Sequence, residues 1–239
     1  AITVGGTFSC SFQAFLSGDA GDPDHLNRAT ATAADDEGNP ATAGDDAVVA
    51  FTDVAPTISV AKTPSLGSLP EPGGAVAFTV VVANLGPEPV TLMSLVDDTF
   101  GDLRDPGNAR VAANTCPAQP AVIPVAGMLS CSFQALLAGD AGDPDHRNMV
   151  IAAAADDEGN PALASDDAVV AFADVAPTIS VAKTPSAGSV TEPGGTVTFA
   201  VTVTNTSVEP VTLVSLSDDV FGDLLDPGNG AVTANTCPA

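Results

Sequence analysis

The residues best placed to do chemistry in this chain are crowded carboxylates. Asp156-Asp157-Glu158 and Asp166-Asp167 flank segment 159–165, which reads as a hairpin loop, and Asp35-Asp36-Glu37 and Asp45-Asp46 repeat that arrangement. Adjacent like charges repel, so packing such acids together is costly without a cation. Hard cations such as Ca²⁺ take roughly six to eight oxygens from carboxylates and carbonyls. Two arrangements fit the pattern. One is a solvated turn with the acids spread into water. The other is a Ca²⁺ site of Asp156, Asp157, Asp166 and Asp167, copied by Asp35, Asp36, Asp45 and Asp46. The spacing of Asp156, Glu158 and Asn160 superficially resembles a calcium loop, but Gly159 sits at the fourth place and not the sixth, so it is not an EF-hand.

Two further acid groups lie elsewhere. One runs Asp97-Asp98, Asp102 and Asp105; the other is Asp140, Asp143 and Asp145, followed by His146. His25 and His146 are the only histidines and occupy equivalent Pro-Asp loops, where a surface position is the plainer reading than a ligand or base. No Gly-x-Ser-x-Gly elbow, phosphate-binding Gly-Lys loop or His-Glu-x-x-His is present. Acid pairs could serve a glycosidase, but Trp and Tyr, the usual sugar platforms, are absent. These features predict that the chain is not an enzyme. Asn205-Thr206-Ser207 is an N-glycosylation sequon, and Asn114 and Asn235 stand in the rarer Asn-Thr-Cys form.

Four cysteines, Cys10, Cys116, Cys131 and Cys237, sit in an acidic, turn-rich sequence, which points to disulfides and an oxidising compartment. Three pairings are possible. Cys116 with Cys131 closes a short loop within one domain and is the favoured one. A loop of about 15 residues is worth roughly 3 kcal/mol in the chain-entropy account. Cys10 then needs a partner from a preceding repeat and Cys237 one from a following repeat. No Cys-x-x-Cys suggests metal or redox work.

The charge is one-sided, with 30 acids against 6 bases and a formal net charge of −24. Nucleic acid needs Lys and Arg to displace its counterions, and anionic membranes need a basic patch. The charge therefore argues against both partners. A soluble acidic surface, neutralisation by divalent cations, and a high-salt habitat each account for the excess. No stretch approaches the roughly 18 apolar residues of a spanning helix, so no membrane insertion is expected. The first residues lack a basic start, apolar run and cleavage site, so residue 1 reads as the start of a mature fragment.

Positioning these groups falls to a repeat. Cys10-Ser11-Phe12-Gln13-Ala14 returns as Cys131-Ser132-Phe133-Gln134-Ala135, and Asp53–Lys62 returns as Asp174–Lys183, each 121 residues later with no insertion. A unit of that length is a whole domain. Across the middle copy, β-branched runs occur at Thr57–Lys62, Ala75–Asn84, Val90–Leu95, Arg110–Thr115, Leu129–Leu137, Arg147–Ala155 and Ala168–Ala173. Gly, Pro, Asp and Asn turns separate them, and no segment carries a capped helical period. The fold class is all-β, as tandem immunoglobulin-like antiparallel β-sandwich repeats. The Asp-Val-Ala-Pro segments at 53–56 and 174–177 mark the boundaries. Residues 1–54 are the C-terminal half of one repeat, 55–175 a complete repeat, and 176–239 the N-terminal half of another. In such a sandwich the Asp97 and Asp140 loops lie at one pole and the Asp156 hairpin at the other. Stacked repeats then bring the Asp140-type loop of one against the Asp156-type hairpin of the next.

One family resemblance rests on the first half of each repeat. Ile179–Pro185 with Lys183, then Glu192-Pro193-Gly194-Gly195 and the alternating run Thr196–Asn205, with a later Asp218-Asp219, resembles the bacterial domain-of-unknown-function-eleven repeat. The resemblance implies an immunoglobulin-like sandwich in secreted or surface proteins, usually in tandem, and brings no catalytic residues with it. Leu85-Gly86 departs from its pattern in a loop only.

These readings predict a structural segment of an extracellular fibre or cell-surface stalk. Its partners are further copies of itself, head to tail, so that 176–239 of one copy and 1–54 of the next combine into one sandwich and Cys237 bonds Cys10. The alternative is a surface adhesin gripping glycan or protein through its loops. The scarcity of aromatics and Arg, the usual hot-spot residues, weighs against it.

Overall fold

The computed structural model describes residues 1–237, and no helix occurs among them. The strands are β1 (His25–Ala34), β2 (Pro40–Val49), β3 (Ile58–Pro64), β4 (Ser68–Pro70), β5 (Gly73–Asn84), β6 (Val90–Asp97), β7 (Gly101–Asp102), β8 (Ala121–Ile123), β9 (Met128–Ala138), β10 (His146–Ala155), β11 (Pro161–Ala173), β12 (Ile179–Pro185), β13 (Phe199–Asn205), β14 (Ser217–Asp218) and β15 (Gly222–Asp223).

The middle repeat is an immunoglobulin-like sandwich. One sheet has the order β3-β5-β9; the other has β4-β11-β10-β6-β7, with β8 also paired to β6. Alternation builds its core. In β5 every second residue, Val76, Phe78, Val80 and Val82, faces inward and is buried, and β9 does the same with Cys131, Phe133, Ala135 and Leu137. Phe78, Phe100 and Phe133 form one aromatic cluster with ring centroids 5.3–6.0 Å apart. With so few aromatics in the chain, this cluster and the aliphatic side chains around it supply most of the apolar burial.

Chain contacts divide the protein into two compact units. The first comprises Ala1–Ser65, Ala77–Ala135 and Arg147–Val169, and holds the aromatic cluster. The second comprises Leu66–Val76, Leu136–His146 and the chain from Val170 onward. In the second unit Gly73 has φ +112°, and a Cβ there would lie 2.1 Å from the Leu137 carbonyl oxygen, so only glycine fits this turn.

The sequence runs forecast most strands but not all. Segment 110–115 forms no strand; Ala112 makes only a single bridge to Gln134. Main-chain bonds from Ala112 and Thr115 to β9 hold this region together with side chains, Asn108 donating to the Phe100 and Asp102 carbonyls and Asn114 to that of Leu103. The last strand begins at Pro161, seven residues before the expected Ala168. The hairpin loop therefore closes at 156–160, and Asp166 and Asp167 lie inside β11.

The terminal segments repeat strand pairings seen in residues 58–102. β12 pairs with β13 from Ile179↔Asn205 to Pro185↔Phe199, the register of Ile58↔Asn84 to Pro64↔Phe78 shifted by 121 residues. β14 and β15 likewise reproduce the β6–β7 pairing. What differs is burial. Phe133 is 0% exposed and its counterpart Phe12 is 78% exposed; Leu92 is 0% and Leu213 is 42%. Val49, Ile179 and Phe199 are also exposed, whereas Val170, Ile58 and Phe78 are buried.

Candidate functional site

Among the described residues, three carboxylate groups stand close enough to share a cation, and two of them meet at the hairpin after β10. Asp53, Glu88, Asp156 and Glu158 bring one oxygen each within 4.8 Å of one another, and Asp19, Asp157 and Glu158 do the same. Asp156 ends up here because the hairpin is closed on its own side chain. Its carboxylate accepts the Asn160 main-chain N–H at 2.7 Å and the Asn160 side-chain amide at 3.1 Å. That amide also donates to Asp53 at 2.8 Å, fixing the entering segment against the hairpin. Glu88 is placed by the β5–β6 turn. The Asn84 side-chain amide donates to the Glu88 carbonyl at 2.6 Å, and Asn84 also accepts from the Gly86 N–H.

The electrostatics match the crowding. Burial raises the Glu88 carboxyl above its ordinary value, and the charges of Asp19, Glu158, Asp53 and Asp157 raise it further. Its Oε2 is buried and has no hydrogen-bond partner. Glu158 is pulled down by its own main-chain N–H, yet burial and the charges of Asp157, Asp19 and Asp156 leave it raised overall. Several hard oxygens converging around an orphaned carboxylate oxygen form a donor set that suits Ca²⁺.

The third group is Glu71, Asp140 and Glu209 in the second unit. Glu71 accepts the Val175 N–H at 2.6 Å and the Ala141 N–H at 2.9 Å, and these bonds hold its carboxyl at about 2. Burial, Glu71 and Asp140 raise Glu209. Asp140 and Glu209 are the 121-residue counterparts of Asp19 and Glu88.

The structure gathers some of the expected site residues and disperses others. Asp156 and Asp157 join the hairpin groups. Asp166 and Asp167 do not, because successive residues of a strand point to opposite faces. Asp166 accepts the main-chain N–H of Lys62 at 2.7 Å, giving the edge strand β3 a partner. Asp167 forms an exposed pair with Arg147 at 2.9 Å. In the first half-repeat, Asp35 is closed by Asn39 as Asp156 is by Asn160, which lowers its carboxyl. Asp46 pairs with Arg28 directly across the ladder, and Asp36 and Asp45 are exposed. None of these four enters a three-acid group among the described residues. The partners that sequence reasoning missed are Asp19, Asp53 and Glu88. Their one legible signal is recurrence, as Asp140, Asp174 and Glu209.

Cys116 and Cys131 are bonded, with S–S 2.06 Å and Cα–Cα 4.8 Å across a separation of 15. Cys10 and Cys237 are free. Asn205 is exposed, but its amide donates to the Glu209 carbonyl at 2.5 Å and its Oδ1 accepts the Ser207 N–H. Its counterpart Asn84 makes the same turn and is buried.

No protein-family model and no curated protein matches the chain. Solved structures do resemble it. A PapD-like domain of human CEP192 is 13% identical, over 53% of this chain and 92% of that one, with a TM-score of 0.34. A 1.5-MDa bacterial ice-binding adhesin is 14% identical over 67% of this chain, with a TM-score of 0.31. A Ca²⁺-stabilised adhesin that helps an Antarctic bacterium reach out and bind ice is 18% identical over 66% of this chain, with a TM-score of 0.27. The chain spans 46% and 34% of those two adhesin chains.

Proposed function

We propose that this chain is a structural segment of an extracellular fibre or cell-surface stalk, in which half-repeats complete one another head to tail. The observation that carries the reading is the mismatch in burial between equivalent residues. Each terminal half adopts the register of the middle repeat, yet presents to water the side chains that the middle repeat encloses. Burying a Phe or Leu is worth about 1.5–3 kcal/mol, so several such residues supply a strong drive to find the missing half. That half is available on every further copy. A contact of this kind is heterologous and does not close on itself, so it propagates.

Two features support an architectural role over an enzymatic one. The disulfide belongs to an oxidising compartment, which suits an extracellular or surface location. The carboxylate groups recur at the boundaries between repeats, where rigidity matters for a stalk. Ca²⁺ held there by Asp53, Glu88, Asp156 and Glu158, with Asp19 and Asp157 beside them, would replace repulsion by cross-bridging.

Electron microscopy of the purified chain, with sizing at several concentrations, tests the reading. Uniform filaments that lengthen with concentration are expected. A folded monomer at every concentration would overturn it, and a monomer that binds a glycan array would put an adhesin in its place.

A further inference from the structure

A lysine, an aspartate and an asparagine touch inside the middle repeat. Lys62 Nζ lies 2.5 Å from Asp97 Oδ2, and the Asn148 side-chain amide donates to that same oxygen at 2.8 Å. Nζ also donates to the Asn148 main-chain carbonyl at 3.2 Å. The side chains of Lys62 and Asp97 are wholly buried, and Asn148 is 1% exposed. The Phe78 and Phe133 ring centroids lie 4.9 and 5.9 Å from Nζ. Lys62 comes from β3 in one sheet, and Asp97 and Asn148 come from β6 and β10 in the other. The group therefore bridges the sandwich.

As a plain ion pair this is a poor device. Two buried charges carry a desolvation cost that their attraction often fails to recover. The Asn148 side-chain oxygen Oδ1, moreover, is buried and has no hydrogen-bond partner. The arrangement is a good one for a different purpose. One carboxylate oxygen touches both an amine and the nitrogen that an amide would lose. We propose that Lys62 and Asn148 condense into an intramolecular amide cross-link between the two sheets, with Asp97 carrying the protons.

The step balances without any co-reactant. Asp97 takes a proton from the Lys62 ammonium. The freed amine pair attacks Asn148 Cγ, forming the new C–N bond and pushing the carbonyl electrons onto Oδ1. Asp97 returns its proton to Nδ2, the Cγ–Nδ2 bond breaks as the carbonyl re-forms, and ammonia departs. The remaining excess proton on the new amide nitrogen passes to Asp97, which ends neutral. A buried ion pair is thereby replaced by uncharged groups. Burial lowers the Lys62 ammonium pKa, against the hydrogen bond and charge of Asp97, which favours release of the proton.

Asp97 itself is the less suited acyl partner. Its other oxygen accepts the Thr99 and Phe100 main-chain N–H groups, both at 3.0 Å, so attack at its carbon would disturb the turn that these bonds hold. The second copy keeps the same parts: Lys183 pairs with Asp218, beside the Phe199 ring at 4.7 Å.

Intact mass measurement of the full chain, denatured and reduced, decides the matter. The expected mass is one ammonia below that of the reduced sequence, and digestion should yield a branched peptide joining the segments of Lys62 and Asn148. Lys62→Arg keeps a cation beside Asp97 and should restore the full mass. An unmodified mass for the folded wild-type chain overturns the proposal. So does a loss of one water with the branch at Asp97.

Discussion

Asn160 donates its side-chain amide to Asp53 at 2.8 Å while it also closes the Asp156 hairpin. One residue thus ties the last hairpin of the middle repeat to the segment that enters it. The contact draws Asp53 and Asp156 together despite their like charge, and Glu88 and Glu158 complete the crowd. Such a cluster is held against its own repulsion, so a divalent cation should stabilise the folded chain.

The first prediction is therefore a rise in melting temperature with Ca²⁺ and a fall with chelator. At free Ca²⁺ roughly a hundredfold above its Kd, binding to the native state alone adds about 2.7 kcal/mol. Glu88→Gln should weaken the response, because it removes a ligand charge at the centre of the group. Scanning calorimetry with and without chelator checks this. Identical curves would leave the acids as a solvated, mutually repelling turn.

This site was only partly legible in the sequence. The cluster Asp156-Asp157-Glu158 announces itself by proximity. Asp53 and Glu88 lie far away along the chain, in segments that read as linker and turn, and no local spacing connects them to the hairpin. Asp166 and Asp167 misled in the opposite direction. The expected strand began at Ala168 because two acids look like loop, yet an edge N–H on β3 and the guanidinium of Arg147 give both a place within β11. The strands with clean alternation, such as β5 and β9, were readable because one face is buried throughout. Segment 110–115 reads as a strand but reaches β9 only through isolated main-chain bonds at Ala112 and Thr115, while the Asn108 and Asn114 side chains tie it to the carbonyls of residues 100–103.

The disulfide yields the second prediction. Cys116 and Cys131 close a loop across a separation of 15, for which the chain-entropy account gives roughly 3 kcal/mol. Replacing both by Ala should lower the unfolding free energy of the middle repeat by about that amount. Urea titration of the variant and the oxidised parent measures the difference. A change within error would mean that the unfolded chain is already compact around this loop.

Acid sensitivity follows from Glu71. The Val175 and Ala141 N–H groups hold its carboxyl at about 2, below the ordinary 4.5. A depressed folded-state value stabilises the protein above the unfolded value, and that stability is lost as pH falls from 4.5 towards 2. Glu71→Gln should flatten the decline in stability over this window. Glu209, raised by burial and by Glu71 and Asp140, has the opposite sign: its protonation on acidification favours the folded state. Glu209→Gln should therefore relieve strain at neutral pH. Denaturant midpoints as a function of pH distinguish the two, and parallel profiles for the parent and both variants would contradict this assignment.

The last prediction joins the assembly to the cross-link. Asn27 in β1 is the counterpart of Asn148, and Lys183 with Asp218 is the counterpart of Lys62 with Asp97. In the middle repeat all three residues belong to one sandwich. In the terminal segments the lysine and aspartate lie on one half and the asparagine on the other. If half-repeats from two copies complete one another, Lys183 of one copy meets Asn27 of the next, and the same condensation becomes a covalent joint between copies. Denaturing electrophoresis under reducing conditions should then show a ladder. Lys183→Arg and Asn27→Ala should each collapse the ladder to a single band while leaving the ammonia loss at Lys62 and Asn148 intact. Filaments that dissolve completely in denaturant and reductant would show that the halves associate without the bond.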